Sequence, residues 1–272
     1  MTRRLTLVAG RPSHATGEHE FLAGMHLLAK CLSDVPDLIV RVVADGHLGD
    51  DVLADADALV LFADGGPGHP LLEDGRLSAV GARVEQGLGL GLMHFAVEIP
   101  VDHGTREVTS WIGGAYRDGV SCNPIWEASF DAFPEHPVTR GVRPFATRDE
   151  WYFDIQFADA LTLGASADIQ PILVTVPSDA VRGGPYVWPH GPYPHILAAS
   201  GRPEVLMWVQ ERSDGRRGFG LTGGHFHANW ADEDFRRVVL NALVWVSGLE
   251  VPADGVQSRV TAADLVLDGA GT

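Results

Sequence analysis

The 272-residue chain is 45% hydrophobic and sets 20 Lys and Arg against 36 Asp and Glu, for a net charge of −16. That balance supports a sizeable core, in one large domain or two small ones, and argues against nucleic acid or an anionic membrane as partner. Two cysteines, Cys31 and Cys122, are too few for a disulfide framework or a Cys-rich zinc site.

Residues 5–9 form a short apolar run ended by Gly10, Arg11 and Pro12, which reads as a buried strand with its loop. The run is too short for a signal segment, and no stretch reaches the length of a membrane span, so a cytoplasmic protein is expected. Phe21, Leu22, Met25, Leu28, Ala29 and Leu32 recur at helical spacing and predict an amphipathic helix over 18–32, with Cys31 a buried free thiol on its apolar stripe. Residues 38–43 and 58–62 are further strands followed by loops rich in Asp and Gly. Residues 71–84 read as a helix weakened by Gly75 and Gly81, and 88–93 as a fourth strand.

From about 102 to 217 the pattern becomes β-rich, with strand-like runs at 127–133, 150–157, 172–176 and 205–211. It reads as an elaboration of the same domain. Within it, residues 183–195 hold four Pro, three Gly and two His (His190 and His195), a long irregular loop without an assigned role. Residues 219–222 return to the core. Phe235, Val238, Val239, Ala242, Leu243 and Val246 then mark a helix over 232–247, with acidic residues at its start and Gly248 at its end. The alternation of strands and helices predicts a single α/β domain over 1–252 with a mainly parallel sheet flanked by helices, followed by a loosely packed tail at 253–272. In such sheets ligands bind beyond the carboxyl ends of the strands.

The chemistry-bearing residues gather at those ends. Thr222-Gly223-Gly224-His225-Phe226-His227 joins the last strand to its helix, and imidazole both transfers protons near neutrality and binds metals. His225 and His227 share a face if the segment is extended. His94 follows the fourth strand, either as a core histidine bonded to backbone or as a residue presented above the sheet edge. Glu98, four residues on, would share a helix face with His94 and orient it or join it on a metal; otherwise it is a solvated carboxylate. His19 and Glu20 follow the first strand's loop and Asp64 follows the third strand, though Glu20 also suits a helix start and Asp64 a turn. Trp111, Tyr116, Trp151 and Trp230 offer flat faces for a sugar or, individually, core packing. Glu150, beside Trp151, is expected to have its pKa raised by an apolar wall and to serve as the second acid. Asn229 and Asp232 are read as caps of the last helix, and His69 and His136, each before Pro, as loop residues.

Taken in order, Gly17-Glu18-His19-Glu20-Phe21, Gly91-Leu92-Met93-His94-Phe95-Ala96-Val97-Glu98, Trp111-Ile112-Gly113-Gly114-Ala115-Tyr116, His136-Pro137-Val138-Thr139-Arg140-Gly141, Asp149-Glu150-Trp151-Tyr152 and the Thr222–His227 stretch resemble the ThuA-like (trehalose utilisation) family across most of residues 3–252. The resemblance implies a flavodoxin-like core of the class I glutamine amidotransferase type. There a nucleophilic Cys occupies the elbow after a strand and a later His serves it. Here His94 stands at the elbow and His225 at the later position, so thiolate-based glutamine hydrolysis is not implied. Family members are linked with sugar catabolism, in some cases beside oxidoreductases that make 3-keto-sugars.

The expected function is a carbohydrate-active enzyme that hydrolyses or eliminates a glycosidic bond of a (3-keto-)disaccharide or related sugar. His94, His225, Glu150 and Glu98 would be the acid–base residues. His19, Glu20, Asp64, Trp111, Tyr116, His227 and Trp230 would bind substrate, and a divalent metal could assist. The alternative is a non-catalytic sugar- or metabolite-binding protein. A small-molecule sugar is the expected partner, without nucleic acid or membrane, in a chain of a size and acidity that suit a homodimer.

Overall fold

The computed structural model describes residues 1–158, 168–189 and 191–267. Residues 5–9, 58–62 and 89–93 are apolar or Gly at nearly every position, the pattern of strands covered on both faces. They lie in β1 (Arg3–Ala9), β3 (Ala58–Phe62) and β4 (Gly89–Met93), with β2 (Leu38–Val43) at the sheet edge. The remaining strands are β5 (Gly114–Ala115), β6 (Ile125–Phe130), β7 (Phe145–Glu150), β8 (Gln156–Phe157), β9 (Ile169–Thr175), β10 (Glu204–Glu211) and β11 (Arg217–Leu221). The central sheet runs β2-β1-β3-β4-β11-β10-β9, parallel through β11 and antiparallel over β10 and β9. This is the mainly parallel, helix-flanked, flavodoxin-like architecture read from the sequence.

Successive side chains of β1 and β3 point to opposite faces. Leu5, Leu7, Val60 and Phe62 join one apolar cluster with the helices Phe21–Cys31 and Glu233–Val246 and with the hairpin β6–β7. Val8, Leu59, Leu61, Leu90 and Leu92 join the other, under the helices Arg76–Glu85 and Thr105–Ile112. The Gly-Leu alternation of β4 has a steric cause. A Cβ at Gly89 would lie 2.1 Å from the Val246 carbonyl oxygen, and one at Gly91 would lie 2.2 Å from the Phe219 ring. Only bare backbone lets the last helix and β11 close on this strand.

Several boundaries differ from expectation. The helix expected over 71–84 is confined to Arg76–Glu85, because Pro70 starts a separate 3₁₀ turn and Gly75 is left-handed at φ 73°. The helix Thr105–Ile112 falls where only strands were expected. The strand expected over 150–157 lies earlier, at Phe145–Glu150; Trp151, Tyr152 and Phe153 are buried as irregular chain, so their apolar run signalled burial and not a ladder. The tail is not loose throughout: Val256 is buried and its N–H donates to Asn241 Oδ1 at 2.8 Å. Residues 268–272 lie outside the described residues. Cys31 and Cys122 are free, buried thiols. Among the described residues no helix is long and apolar enough to cross a membrane.

Candidate functional site

β1, β3, β4 and β11 all end at one edge of the sheet, and the chain beyond each supplies part of one cluster. His94 is the first residue after β4, in a left-handed backbone at φ 54°, and opens a single 3₁₀ turn (His94–Val97). His19 is also left-handed, at φ 48°. Such backbone costs on the order of 1–3 kcal/mol for a residue with a Cβ and persists where surrounding structure enforces it. Around His19 the enforcement is visible: its N–H donates to the His225 carbonyl at 2.9 Å, and the His227 N–H donates to the Gly17 carbonyl at 2.9 Å. Two loops 206 residues apart are thereby zipped together, and their imidazoles meet.

Four donor atoms from His19, His94, His225 and Glu150 lie within 4.8 Å of one another. His19 Nε2 is 2.9 Å from His225 Nδ1 and 3.0 Å from His94 Nε2. Glu150 Oε2 is 2.8 Å from His225 Nδ1, 3.3 Å from His94 Nε2 and 3.8 Å from His19 Nε2. All four residues are buried. His94 Nδ1 is 2.7 Å from the Thr222 carbonyl oxygen and must donate to it. In the neutral ring, Nε2 therefore presents a lone pair to the carboxylate. Protonating both His19 Nε2 and His225 Nδ1 would set two N–H groups against each other at 2.9 Å. Crowded acceptors of this kind are relieved by a cation at their centre. Donors held at ~2.1 Å from one ion, at right angles, would lie ~3.0 Å apart, close to the 2.8–3.3 Å of four of these pairs, while Glu150 and His19 stand wider at 3.8 Å.

The electrostatics of the four groups differ: despite its burial, His225 is raised above its ordinary value by Glu150, Asp149 and Glu18. Burial pushes His19 down to about 3, against the pull of Glu150, so its ring is neutral at physiological pH. Burial would raise Glu150, but the imidazoles of His19, His225 and His94 outweigh it and hold the carboxyl well below the usual range. This corrects the expectation of a raised Glu150: the buried carboxylate is an anion paired to imidazoles and is not the protonated acid. Asn123 Nδ2 donates to its other oxygen.

Asp149, which the sequence did not single out, orders the His225 loop. This fully buried carboxylate accepts from the N–H groups of Gly224 (3.0 Å), His225 (2.9 Å) and Glu150 (2.8 Å) and from Asn229 Nδ2 (2.9 Å). Asn229 thus ties the loop to Asp149 and caps no helix, whereas Asp232 does cap the last helix, accepting from the Asp234 and Phe235 N–H groups. The only sequence signal for Asp149 was its place at the head of the Asp149-Glu150-Trp151-Tyr152 stretch.

His19, Glu150 and His225 of the cluster line a cavity of about 600 Å³, with the fully buried His94 behind them. Phe95, Glu98, Ile125, Val187 and Trp188 are among the residues of its other walls. The Pro-rich loop therefore has a role that its composition did not reveal. The Trp188 and Val187 N–H groups donate to Asn123 Oδ1 and O, at 2.9 and 3.1 Å, and the Asn123 N–H donates to the Trp188 carbonyl. The Trp188 indole N–H donates to Asp118 Oδ1 at 3.2 Å, and the residue is 50% exposed where it lines the cavity. His195 Nε2 bonds the Val120 carbonyl, and His190 lies outside the described residues.

Other expected site residues lie elsewhere. Glu98 follows the 3₁₀ turn in extended conformation, so it shares no helix face with His94; it reaches the cavity independently. Asp64 is half-buried behind His19, 4.0 Å from its Nδ1, and accepts from Ser13 Oγ; His14 stacks on His19 with ring centroids 3.6 Å apart. Glu20 accepts the Gly17 N–H, shaping the loop. His227 starts a 3₁₀ turn, and its buried ring is not among the four grouped donors. Trp111, Tyr116 and Trp230 were expected at a sugar but are buried in packing. Trp111 lies against Gly81, Tyr116 meets the Tyr152 ring edge-on at 5.4 Å, and Trp230 stacks on Phe235 at 5.2 Å. His69 and His136 cap short 3₁₀ turns by accepting backbone N–H groups.

The family model described as "ThuA: Trehalose utilisation" matches residues 8–246, a span that contains the whole cluster. The chain belongs to the ThuA family. Its fold is similar to two solved ThuA-like proteins. The one from Bacteroides uniformis is 16% identical over 90% of this chain and 91% of its own, at TM-score 0.61. The one from Parabacteroides merdae is 14% identical over 98% and 100%, at TM-score 0.57. No curated protein matches the chain. Within this ThuA chain the elbow residue is His94, and neither cysteine lines the cavity.

Proposed function

We propose that this ThuA-family chain is a carbohydrate-active enzyme that cleaves a glycosidic C–O bond of a 3-keto-disaccharide or related sugar, by hydrolysis or elimination. His19, His94, His225 and Glu150 would together hold a divalent cation. The observation that carries the proposal is the convergence of these three imidazoles and one carboxylate, buried, at 2.8–3.8 Å. A bound cation supplies Lewis acidity toward a keto or hydroxyl oxygen. The chain's own residues fix the ring orientations and exclude water from one side. Support for a sugar comes from the family's link to trehalose utilisation and from the cavity wall, where the apolar side chains of Phe95, Ile125 and Val187 stand beside polar groups, as sugar rings with one apolar face require. A thiolate route has no support, since burial pushes Cys122 up to about 12.

The test is metal analysis of protein purified without chelator, followed by turnover of 3-keto-trehalose and unoxidised trehalose. About one divalent ion per chain and product from the keto-sugar are expected. A sugar that binds and is recovered unchanged would make the chain a binding protein.

A further inference from the structure

A second carboxyl faces the same cavity in a contrasting environment. The Glu98 backbone is pinned on both sides: its N–H donates to the Phe95 carbonyl, its own carbonyl accepts the Gly66 N–H at 3.0 Å, and it bridges to Tyr116. Gly66 leaves room for the side chain, since a Cβ there would stand 3.4 Å from Glu98 Oε1. The carboxyl has no hydrogen bond or ion pair among the described residues, and it lines the cavity that Glu150, His19 and His225 also line. The charged groups that act on it are Asp118 and Glu150, both acidic; Glu18 and the imidazoles of His14, His19 and His225 line the same cavity, and the Tyr116 and Tyr152 phenols lie within its field. Burial first, then these two carboxylates, push Glu98 up to about 7. One carboxyl held as an anion and another held protonated beside one cavity is the arrangement that separates acid from base roles.

We propose that Glu98 delivers the proton to the departing sugar oxygen when the C–O bond breaks in this cavity, a role that rests on the cavity being a glycosidic cleavage site. The bonding pair leaves with the oxygen, which takes the Glu98 proton. In hydrolysis, water bonds to the anomeric carbon and releases one proton. In elimination, the C2–H pair forms the double bond and its proton is released instead. Either proton restores Glu98 through solvent.

The test uses Glu98→Gln, which keeps shape and cannot donate, in the metal-loaded chain. Turnover of 3-keto-trehalose, whose leaving sugar needs a proton, should fall about 100-fold or more. Turnover of the 3-keto 4-nitrophenyl glucoside, whose leaving group needs none, should fall by less than about tenfold. Equal losses on both substrates, or retained disaccharide turnover, overturn the proposal. Independently of activity, ¹³C-carboxyl NMR of the metal-free chain, with Glu98→Gln as the assignment control, should show Glu98 titrating near 7. Titration at the ordinary value of about 4.3 overturns the proposal even if the enzyme is active. If wild-type protein cleaves neither substrate, the cleavage reading itself falls, and the Glu98 role with it.

Discussion

His94 and Thr222 are held together by sheet register. β4 and β11 run parallel with Met93 opposite Leu221, so the next residue on each strand, His94 and Thr222, stand side by side. The His94 ring donates Nδ1–H to the Thr222 carbonyl at 2.7 Å. This bond fixes the tautomer and turns Nε2 toward the cluster, as a backbone carbonyl commonly does for a metal-binding histidine.

His94→Ala is expected to abolish cation binding and turnover together. The ring is fully buried, and its loss leaves the Thr222 carbonyl without this donor, so a stability cost of about 1–3 kcal/mol accompanies it. Metal content and the denaturant midpoint, read on one preparation, check both. A variant that retains its full complement of metal contradicts the assignment of Nε2.

Asp149→Ala should act on the site without touching the cluster's donor atoms. It removes an acceptor shared by the Gly224, His225 and Glu150 N–H groups and Asn229, and buried donors left unpaired are costly, on the order of 3–5 kcal/mol together. Metal affinity should fall by about 10–100-fold as the His225 loop loosens. Asp149→Asn, which keeps one acceptor oxygen, should recover part of both; unchanged metal affinity in Asp149→Ala would remove its positioning role.

Trp188→Ala should raise KM for a sugar substrate by about tenfold and leave kcat nearly unchanged, because the indole offers binding area and no reacting group. Its half-exposed side chain makes the stability change small, within about 0.5 kcal/mol. Steady-state kinetics separate the two parameters, and a loss confined to kcat argues against a platform.

Acid should destabilise the fold well before its ordinary carboxylates titrate, because three histidines shifted down outweigh the one carboxyl, Glu98, shifted up. His69 Nε2 donates to the Ala96 carbonyl at 3.0 Å while Nδ1 accepts the Leu71 N–H at 3.1 Å, and His136 Nδ1 accepts the Val138 N–H at 3.1 Å. Neither ring can gain a proton without losing an acceptor. Burial pushes both down to about 4, and His19 to about 3, from 6.5. Below 6.5 the unfolded chain binds protons that the folded chain refuses, so stability falls as pH drops from there toward 4. Urea midpoints measured from pH 7 to 4.5 should decline steadily, and a flat profile would show that these rings are not buried neutral.

Part of the fold was legible because local patterns carry it. The apolar runs of β1, β3 and β4 and the helical stripes of Phe21–Cys31 and Glu233–Val246 need no distant partner to be recognised. His19, His94 and His225 were also legible, since each follows a strand's carboxyl end and parallel sheets present those ends together. Trp111, Tyr116 and Trp230 misled, because an aromatic ring that could bind a sugar and one that fills a core look alike in sequence.

The sequence by itself determined the alternating architecture, the acidic surface and the set of imidazoles available to one sheet edge. Tertiary structure decided what those groups are. It brought Glu150, on a hairpin outside the sheet, within 2.8 Å of His225 and made it an anion where its neighbours in sequence suggested an acid. It left the Glu98 carboxyl without a hydrogen bond or ion pair among the described residues and placed Trp188 on the cavity wall. The reason is physical: a side chain's charge state and exposure depend on which groups and how much water surround it, and those neighbours come from distant parts of the chain.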